Sequence, residues 1–467
     1  MFVPKKNLRL FFLIAAVVFL IPAIALAERK KDFNFSGYNV LLVSFDALQA
    51  AHTGCLGYFR DTTPTIDQFA REGFLFKNAT TQASWTVPST MSWFTSLYPS
   101  EHKCINKYST YNTKEQILTN LKQLAPAVVT LAEVLHANGY ISGGFTGDAG
   151  VSGHFGYSQG FDKYFDGPKF GGMDKSIPQA LEWLKANRGK KFFMFLHGYD
   201  CHGQYDPPNG YTKRFLDFDY KGTLAGGKDE QARLREEGLE KGFITLSDSD
   251  VRFWRALYDE KINDVDARFK QFIDELREMG LLNKTIIILA ADHGTEFYEH
   301  KRFDHGFSLY DELIHVPLIV WLPDLKAGKV IEDQVRGIDI MPTLLDLLEV
   351  KVSKKVKDQM KGVSLIPFMQ GKHLDLESFS ETDYRYYTSK RAIRTNDGWK
   401  FIYTMENGGK ELYNLKDDPR ELNNLVDKEK RVAYELEQRL FSWLKSMGQD
   451  ENYHQKLLKN VLRIKEY

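Results

Sequence analysis

Two stretches of this chain run almost without a break through apolar residues and stop on an acid. Asn39-Val40-Leu41-Leu42-Val43-Ser44-Phe45 ends in Asp46, and Thr285-Ile286-Ile287-Ile288-Leu289-Ala290-Ala291 ends in Asp292-His293-Gly294. A strand that is apolar on both faces belongs inside a parallel sheet covered by helices on either side. Ligands of such sheets bind beyond the carboxyl ends of the strands, where Asp46, Asp292 and His293 would then meet. Phe192-Phe193-Met194-Phe195-Leu196-His197 is a third run of this kind, and the loop after it carries Asp200 and His202. An Asp at one strand end reads equally well as a turn cap. Two carboxylates and an imidazole delivered to one edge are hard to explain as scaffold and compose a metal-competent set.

A hydroxyl is expected opposite that edge. In Ser84-Trp85-Thr86-Val87-Pro88-Ser89-Thr90-Met91, Pro88 suits a first helical turn, and Val87, Met91, Phe94 and Leu97 recur at helical spacing. Thr86 falls where a capping side chain sits, close to unpaired backbone N–H groups and the positive end of the helix dipole. Two readings follow, a structural cap or a nucleophile beside an anion site.

With 467 residues, 43% apolar and 13% aromatic, the chain has material for one large domain or two to three smaller ones. Lys5, Lys6 and Arg9 precede an apolar run, Leu10 to Ala27, that ends Ala25-Leu26-Ala27, the pattern of a secretory signal. Export to the periplasm or beyond is the expectation; the alternative is an uncleaved anchor over residues 10–27. Removing residues 1–27 leaves 59 basic against 62 acidic side chains, a net of −3, which recruits no nucleic acid. Membrane contact would come only through that anchor or a lipid substrate. Cys55, Cys104 and Cys201 are too few and too scattered for a disulfide framework, although one pair could oxidise outside the cytosol.

Along the rest of the chain, helices are expected at 63–72, 128–139 and 255–280, and strands at 74–76 and 140–145. Residues from about 209 to 250 are polar and weakly periodic and read as an excursion or lid. His300, Lys301 and Arg302 read as a solvated loop, and His305 as an imidazole placed for proton transfer or a second metal. Asp339 to Leu348 is a capped helix. After about residue 370 the pattern alternates, as in Trp399-Lys400-Phe401-Ile402-Tyr403, which suggests a small antiparallel sheet closed by a helix from about 428 to 447.

The order of motifs resembles the sulfatase family of the alkaline phosphatase superfamily. It rests on Phe45-Asp46-Ala47, Thr63-Pro64-Thr65-Ile66-Asp67, Pro88-Ser89, Asp292-His293-Gly294, Leu309-Tyr310, Val316-Pro317-Leu318, Pro342-Thr343-Leu344-Leu345-Asp346, Gly362-Val363-Ser364-Leu365 and Glu411-Leu412-Tyr413-Asn414-Leu415. The resemblance implies an α/β fold with a mixed, mostly parallel sheet between helices over 38–370, and a smaller antiparallel sheet with a helix over 376–467. It also implies a divalent metal held by Asp46, Asp292 and His293, with Thr86 as a further ligand. Sulfatases carry Cys or Ser, matured to formylglycine, where this chain has Thr86; Thr cannot yield that aldehyde because its β-carbon bears a methyl. Thr90 stands at the usual Arg, Ala47 at a usual second acid, and His305 near an expected Lys. These departures resemble the phosphodiesterases and phosphoethanolamine or lipoteichoic acid transferases of the superfamily, where Thr is the nucleophile. By the same resemblance His202 lies near the leaving group and Asn106 contacts the oxyanion.

The expectation is therefore an exported, metal-dependent hydrolase or transferase acting on phosphate or phosphonate esters through Thr86, on a small-molecule or envelope substrate. Lys103 or Asn106 would share the charge on the nonbridging oxygens, and His202 or His305 would protonate the leaving oxygen. Imidazole and carboxylate ligands suit Zn²⁺ or Mn²⁺ better than Ca²⁺ or Mg²⁺. A second ion held by His305, His202 and Asp200 would make a two-metal clamp. The alternatives are a sulfatase working without formylglycine and a catalytically silent envelope binding protein.

Overall fold

The computed structural model describes residues 33–105, 123–203, 205, 214–216, 219–325, 327–384 and 388–449. The expected signal segment and Asn106 lie outside them. No helix among the described residues is long and apolar enough to cross a membrane.

Among the described residues, ten strands precede the C-terminal sheet: β1 (Asn39–Phe45), β2 (Phe74–Thr80), β3 (Ile141–Thr146), β4 (Lys163–Asp166), β5 (Phe192–Gly198), β6 (Thr285–Ala290), β7 (Glu296–Phe297), β8 (Phe303–Asp304), β9 (Leu318–Trp321) and β10 (Lys329–Arg336). Eight of them form one sheet in the order β10-β2-β9-β6-β1-β5-β3-β4, and only β9 runs against its neighbours. The three apolar runs are its centre: β1 lies between β6 and β5, and all three are buried along their whole length. Alternating side chains of β5 serve both faces. Phe193 and Phe195 meet Phe94 of helix α2 (Thr86–Thr95), whereas Phe192 meets Trp183 of α4 (Met173–Ala186). Helix α1 (Pro64–Glu72) and the 31-residue α6 (Asp248–Glu278) join α4, while α3 (Leu131–Ala137) and α7 (Ile340–Leu347) join α2.

The segment expected as an excursion contains a regular helix, α5 (Lys228–Lys241). Its apolar stripe is thin, with only Gln231, Leu234 and Gly238 buried, which is why periodicity gave no sign of it. Helix α6 begins at Asp248 rather than near 255. A reciprocal cap sets this start: Ser247 Oγ accepts from the Asp250 N–H, and the Asp250 carboxylate accepts from the Ser247 N–H.

Beyond residue 370, β11 (Ser378–Thr382), β12 (Lys390–Arg394), β13 (Trp399–Thr404) and β14 (Gly409–Asn414) form an antiparallel meander, closed by α8 (Lys430–Ser446). Phe379 and Trp443 stack at 4.4 Å between sheet and helix. All three cysteines are free thiols.

Candidate active site

Register builds the centre of the site. In the parallel pair β1/β6, Ser44 lies opposite Ala290, so Asp46 and Asp292, each two residues further on, leave adjacent strands at the same level. In β1/β5, Ser44 lies opposite His197. Ligand-type atoms of Asp46, Asp292 and His293 come within 4.8 Å of one another, and all three side chains are buried. His293 Nδ1 is 2.7 Å from the Gly294 carbonyl, which can only accept, so the proton sits on Nδ1 and Nε2 presents its lone pair. Gly294 is required at this turn, since a Cβ there would come within 2.0 Å of the Glu312 carbonyl oxygen.

Asp46 Oδ2 accepts from Thr86 Oγ1 at 3.1 Å and from His197 Nε2 at 3.2 Å. Burial raises the Asp46 acid, but the His197 hydrogen bond and the nearby His202 and His293 rings outweigh it and hold it well below the carboxylate range. Asp292 moves the other way, raised by burial and by the charge of Asp46. Asp46 Oδ1 and Asp292 Oδ2 are buried and have no hydrogen-bond partner. Buried carboxylate oxygens left bare are costly, and a divalent cation is the partner two of them and an imidazole nitrogen fit.

Thr86 is the first residue of α2, and the cap position belongs to Trp85, whose side chain makes no capping bond. The capping reading of Thr86 is thereby corrected: its hydroxyl meets Asp46 and lies 3.3 Å from His293 Nε2. The start of the helix is pinned from both sides. Ser89 Oγ donates to the Asp292 carbonyl, and Tyr157 Oη donates to the Val87 carbonyl at 2.6 Å.

Thr86, His202 and His305 line a cavity of about 240 Å³, together with the rings of Trp85, Phe170, Tyr199 and Tyr384 and the Lys228–Arg235 face of α5. The His305 ring is 4.4 Å from His293 and 4.9 Å from His202. Burial pushes the His202 imidazolium down to about 3 and lowers His305 as well. Asp200 is elsewhere, its Oδ2 accepting the Met173 N–H at 2.8 Å at the start of α4. Lys103 is exposed after the short turn Pro99–His102 and is not among the residues lining the cavity. The expected second-ion set does not assemble: Asp200 is tied to α4, and His305 Nδ1 is 2.6 Å from Asp304 Oδ1. The other ligand-type group among the described residues is Glu296, His300 and Glu312. His300, expected in a solvated loop, stacks on Tyr310 and places Nδ1 2.6 Å from Glu312 Oε1.

A family profile described as sulfatase matches residues 38–350, and one described as N-sulphoglucosamine sulphohydrolase, C-terminal, matches residues 298–447. The chain belongs to the sulfatase family. Membership makes it a sulfatase-like ester hydrolase. An arylsulfatase of Clostridium perfringens is 24% identical over 368 residues, which are 66% of this chain and 74% of that protein. Among solved structures, a 2-O GAG sulfatase superposes with a TM-score of 0.70 at 20% identity, covering 89% of this chain and 96% of the other. The phosphonate monoester hydrolase of Agrobacterium radiobacter superposes with a TM-score of 0.67 at 19% identity, covering 88% and 95%. These likenesses establish the α/β architecture with its separate antiparallel sheet.

Within this sulfatase fold, several residues escaped sequence reasoning. His197 carried the available signal, a third apolar run ending on an ionisable residue. Gly150 carried none: a Cβ there would meet Thr86 Cβ at 2.7 Å, so only glycine lets that loop close over the hydroxyl. Gln231, Arg235 and Asp304 also reach the site, from segments read as excursion or loop.

Proposed function

We propose that this sulfatase-family protein is an exported, metal-dependent hydrolase or transferase in which Thr86 attacks phosphorus in phosphate or phosphonate esters. The observation that carries the reading is the Thr86 hydroxyl within 3.3 Å of both Asp46 and His293, in a cluster where one buried oxygen each of Asp46 and Asp292 lacks a donor. Formylglycine chemistry is closed to Thr, so the hydroxyl itself is the available nucleophile. The residues fit a divalent ion held by Asp46, Asp292 and His293, with Zn²⁺ or Mn²⁺ suiting the donor set. When bound, it would lower the pKa of the adjacent hydroxyl and offset charge on the nonbridging oxygens.

The chain's own part is positioning and proton transfer. Thr86, at the start of α2, loses its hydroxyl proton to solvent in the cavity and forms the new O–P bond in line with the departing oxygen. The N-terminal backbone N–H groups of the helix favour the developing anion. His305 or His202, on the cavity wall, gives its Nε2 proton to the leaving oxygen as the P–O bond breaks. Water or an acceptor alcohol then releases the phosphoryl group from Thr86. The aromatic wall suits an aryl or sugar ester. A second reading, sulfate ester hydrolysis through the same hydroxyl, is favoured by the arylsulfatase relative.

Parallel assays of aryl phosphodiester, phosphonate monoester, phosphomonoester and sulfate ester decide between them. A phosphorus ester should turn over fastest, and Thr86→Ala should lose at least about a thousand-fold in kcat. Sulfate turnover exceeding every phosphorus ester would overturn the first reading in favour of the second. Inactivity on all four, with no bound metal by elemental analysis, would overturn both.

A further inference from the structure

Asp304 closes the two-residue strand β8, which pairs with β7. Its φ is +83°, in the left-handed region that a residue with a Cβ enters at a cost, so the surrounding structure holds it there. The side chain is 2% exposed, and both carboxylate oxygens are engaged. Oδ1 is 2.6 Å from His305 Nδ1. Oδ2 accepts from Gln231 Nε2 and from Arg235 Nη1, each at 3.3 Å. Gln231 and Arg235 are four residues apart on α5, hence on one helical face, the same face that lines the cavity.

We infer that Asp304 is a positioning residue for His305, and that α5, through Gln231 and Arg235, holds Asp304 in place. An ionised carboxylate only accepts, so His305 Nδ1 carries a proton and Nε2 is the atom left for the cavity. When the leaving oxygen takes the Nε2 proton, Nε2 regains a lone pair and Nδ1–H stays on Asp304, so the ring keeps its orientation for the second half of the reaction. Arg235 and Gln231 satisfy the far oxygen of Asp304, so the carboxylate has no competing direction in which to turn. The helix in the polar segment before α6 is on this account a working part of the site.

The inference rests on the reading of His305 as the proton donor, and the test separates the two. Phenyl esters of the preferred acid, with leaving phenols from 4-nitrophenol to phenol, are assayed with wild type, His305→Ala, Asp304→Asn and Arg235→Ala, each checked for an unchanged melting temperature. Asp304→Asn should lose little with the 4-nitrophenyl ester and about a hundred-fold with the phenyl ester, following His305→Ala, with a smaller loss of the same slope in Arg235→Ala. The double variant His305→Ala/Asp304→Asn should be no worse than His305→Ala. Nitrogen-15 NMR of the histidine rings should show Nδ1–H at His305 in wild type, lost in Asp304→Asn. A graded loss in His305→Ala beside a uniform loss in Asp304→Asn would overturn the inference and leave the proton-donor reading standing. A uniform loss in both would overturn both. With no turnover at all, the NMR tautomer decides: Nδ1–H unchanged by Asp304→Asn would overturn the inference.

Discussion

Thr86 shows how a single position acquires chemistry. A hydroxyl one residue earlier would be spent on capping; at the first helical position it is released to Asp46 and His293. The residue type was legible in the sequence, but its partners were not, because they lie 40 and 207 positions away. Glu296 is a second case. Its acid is pushed up to about 8, first by burial and then by Glu312 and Glu299. Folded protein therefore holds a proton there that the unfolded chain releases near 4.5. The resulting stability is complete below that value and lost as pH rises through 8. Glu296→Gln keeps an acceptor for the His300 and Arg302 N–H groups and removes the titration. Its melting temperature relative to wild type should rise steadily between about pH 5 and pH 9. A difference independent of pH would contradict this.

At the scale of elements, the sheet positions and the helices present. Strands β1, β5 and β6 were readable because burial on both faces forces an all-apolar run, and the ionisable residue at each break marks the edge. Helix α5 was not readable, since it buries only Gln231, Leu234 and Gly238 and so has no broad apolar stripe. The C-terminal sheet is tied to Asp311, outside it, by two buried cations, Arg394 on β12 at 3.4 Å and Lys400 on β13. Lys400 on β13 is fully buried and lies 2.8 Å from both Asp311 and Glu421. Lys400→Met would fill the space yet leave the buried Glu421 carboxylate without its cation and Asp311 with Arg394 alone. Equilibrium unfolding in denaturant should show a loss of about 3–5 kcal/mol. A loss below 1 kcal/mol, on the order of a surface pair, would show that the tie carries little weight.

For the whole molecule, the expected cation is a matter of stability as well as activity. Asp46 and Asp292 meet at the closed end of the central strands, and their bare oxygens repel unless something positive lies between them. Dialysis against a chelator should abolish turnover and lower the melting temperature, and Zn²⁺ or Mn²⁺ should restore both. Saturation a hundred-fold above Kd corresponds to about 2.7 kcal/mol. Asp46→Asn should remove most of that response; a chelated protein that melts like the untreated one would refute the site. The amino-acid sequence by itself determined the fold class, the central strands with their acidic ends, and the residue types of the centre. Those are local matters: burial of a strand on both faces and the start of a helix leave marks within a few neighbouring residues. Tertiary structure alone decided that Asp200 caps α4, that the cavity wall forms without Lys103, and that Asp304 bridges α5 to His305. Each depends on which way a side chain turns among partners tens to hundreds of positions distant, and no periodicity along the chain records that direction.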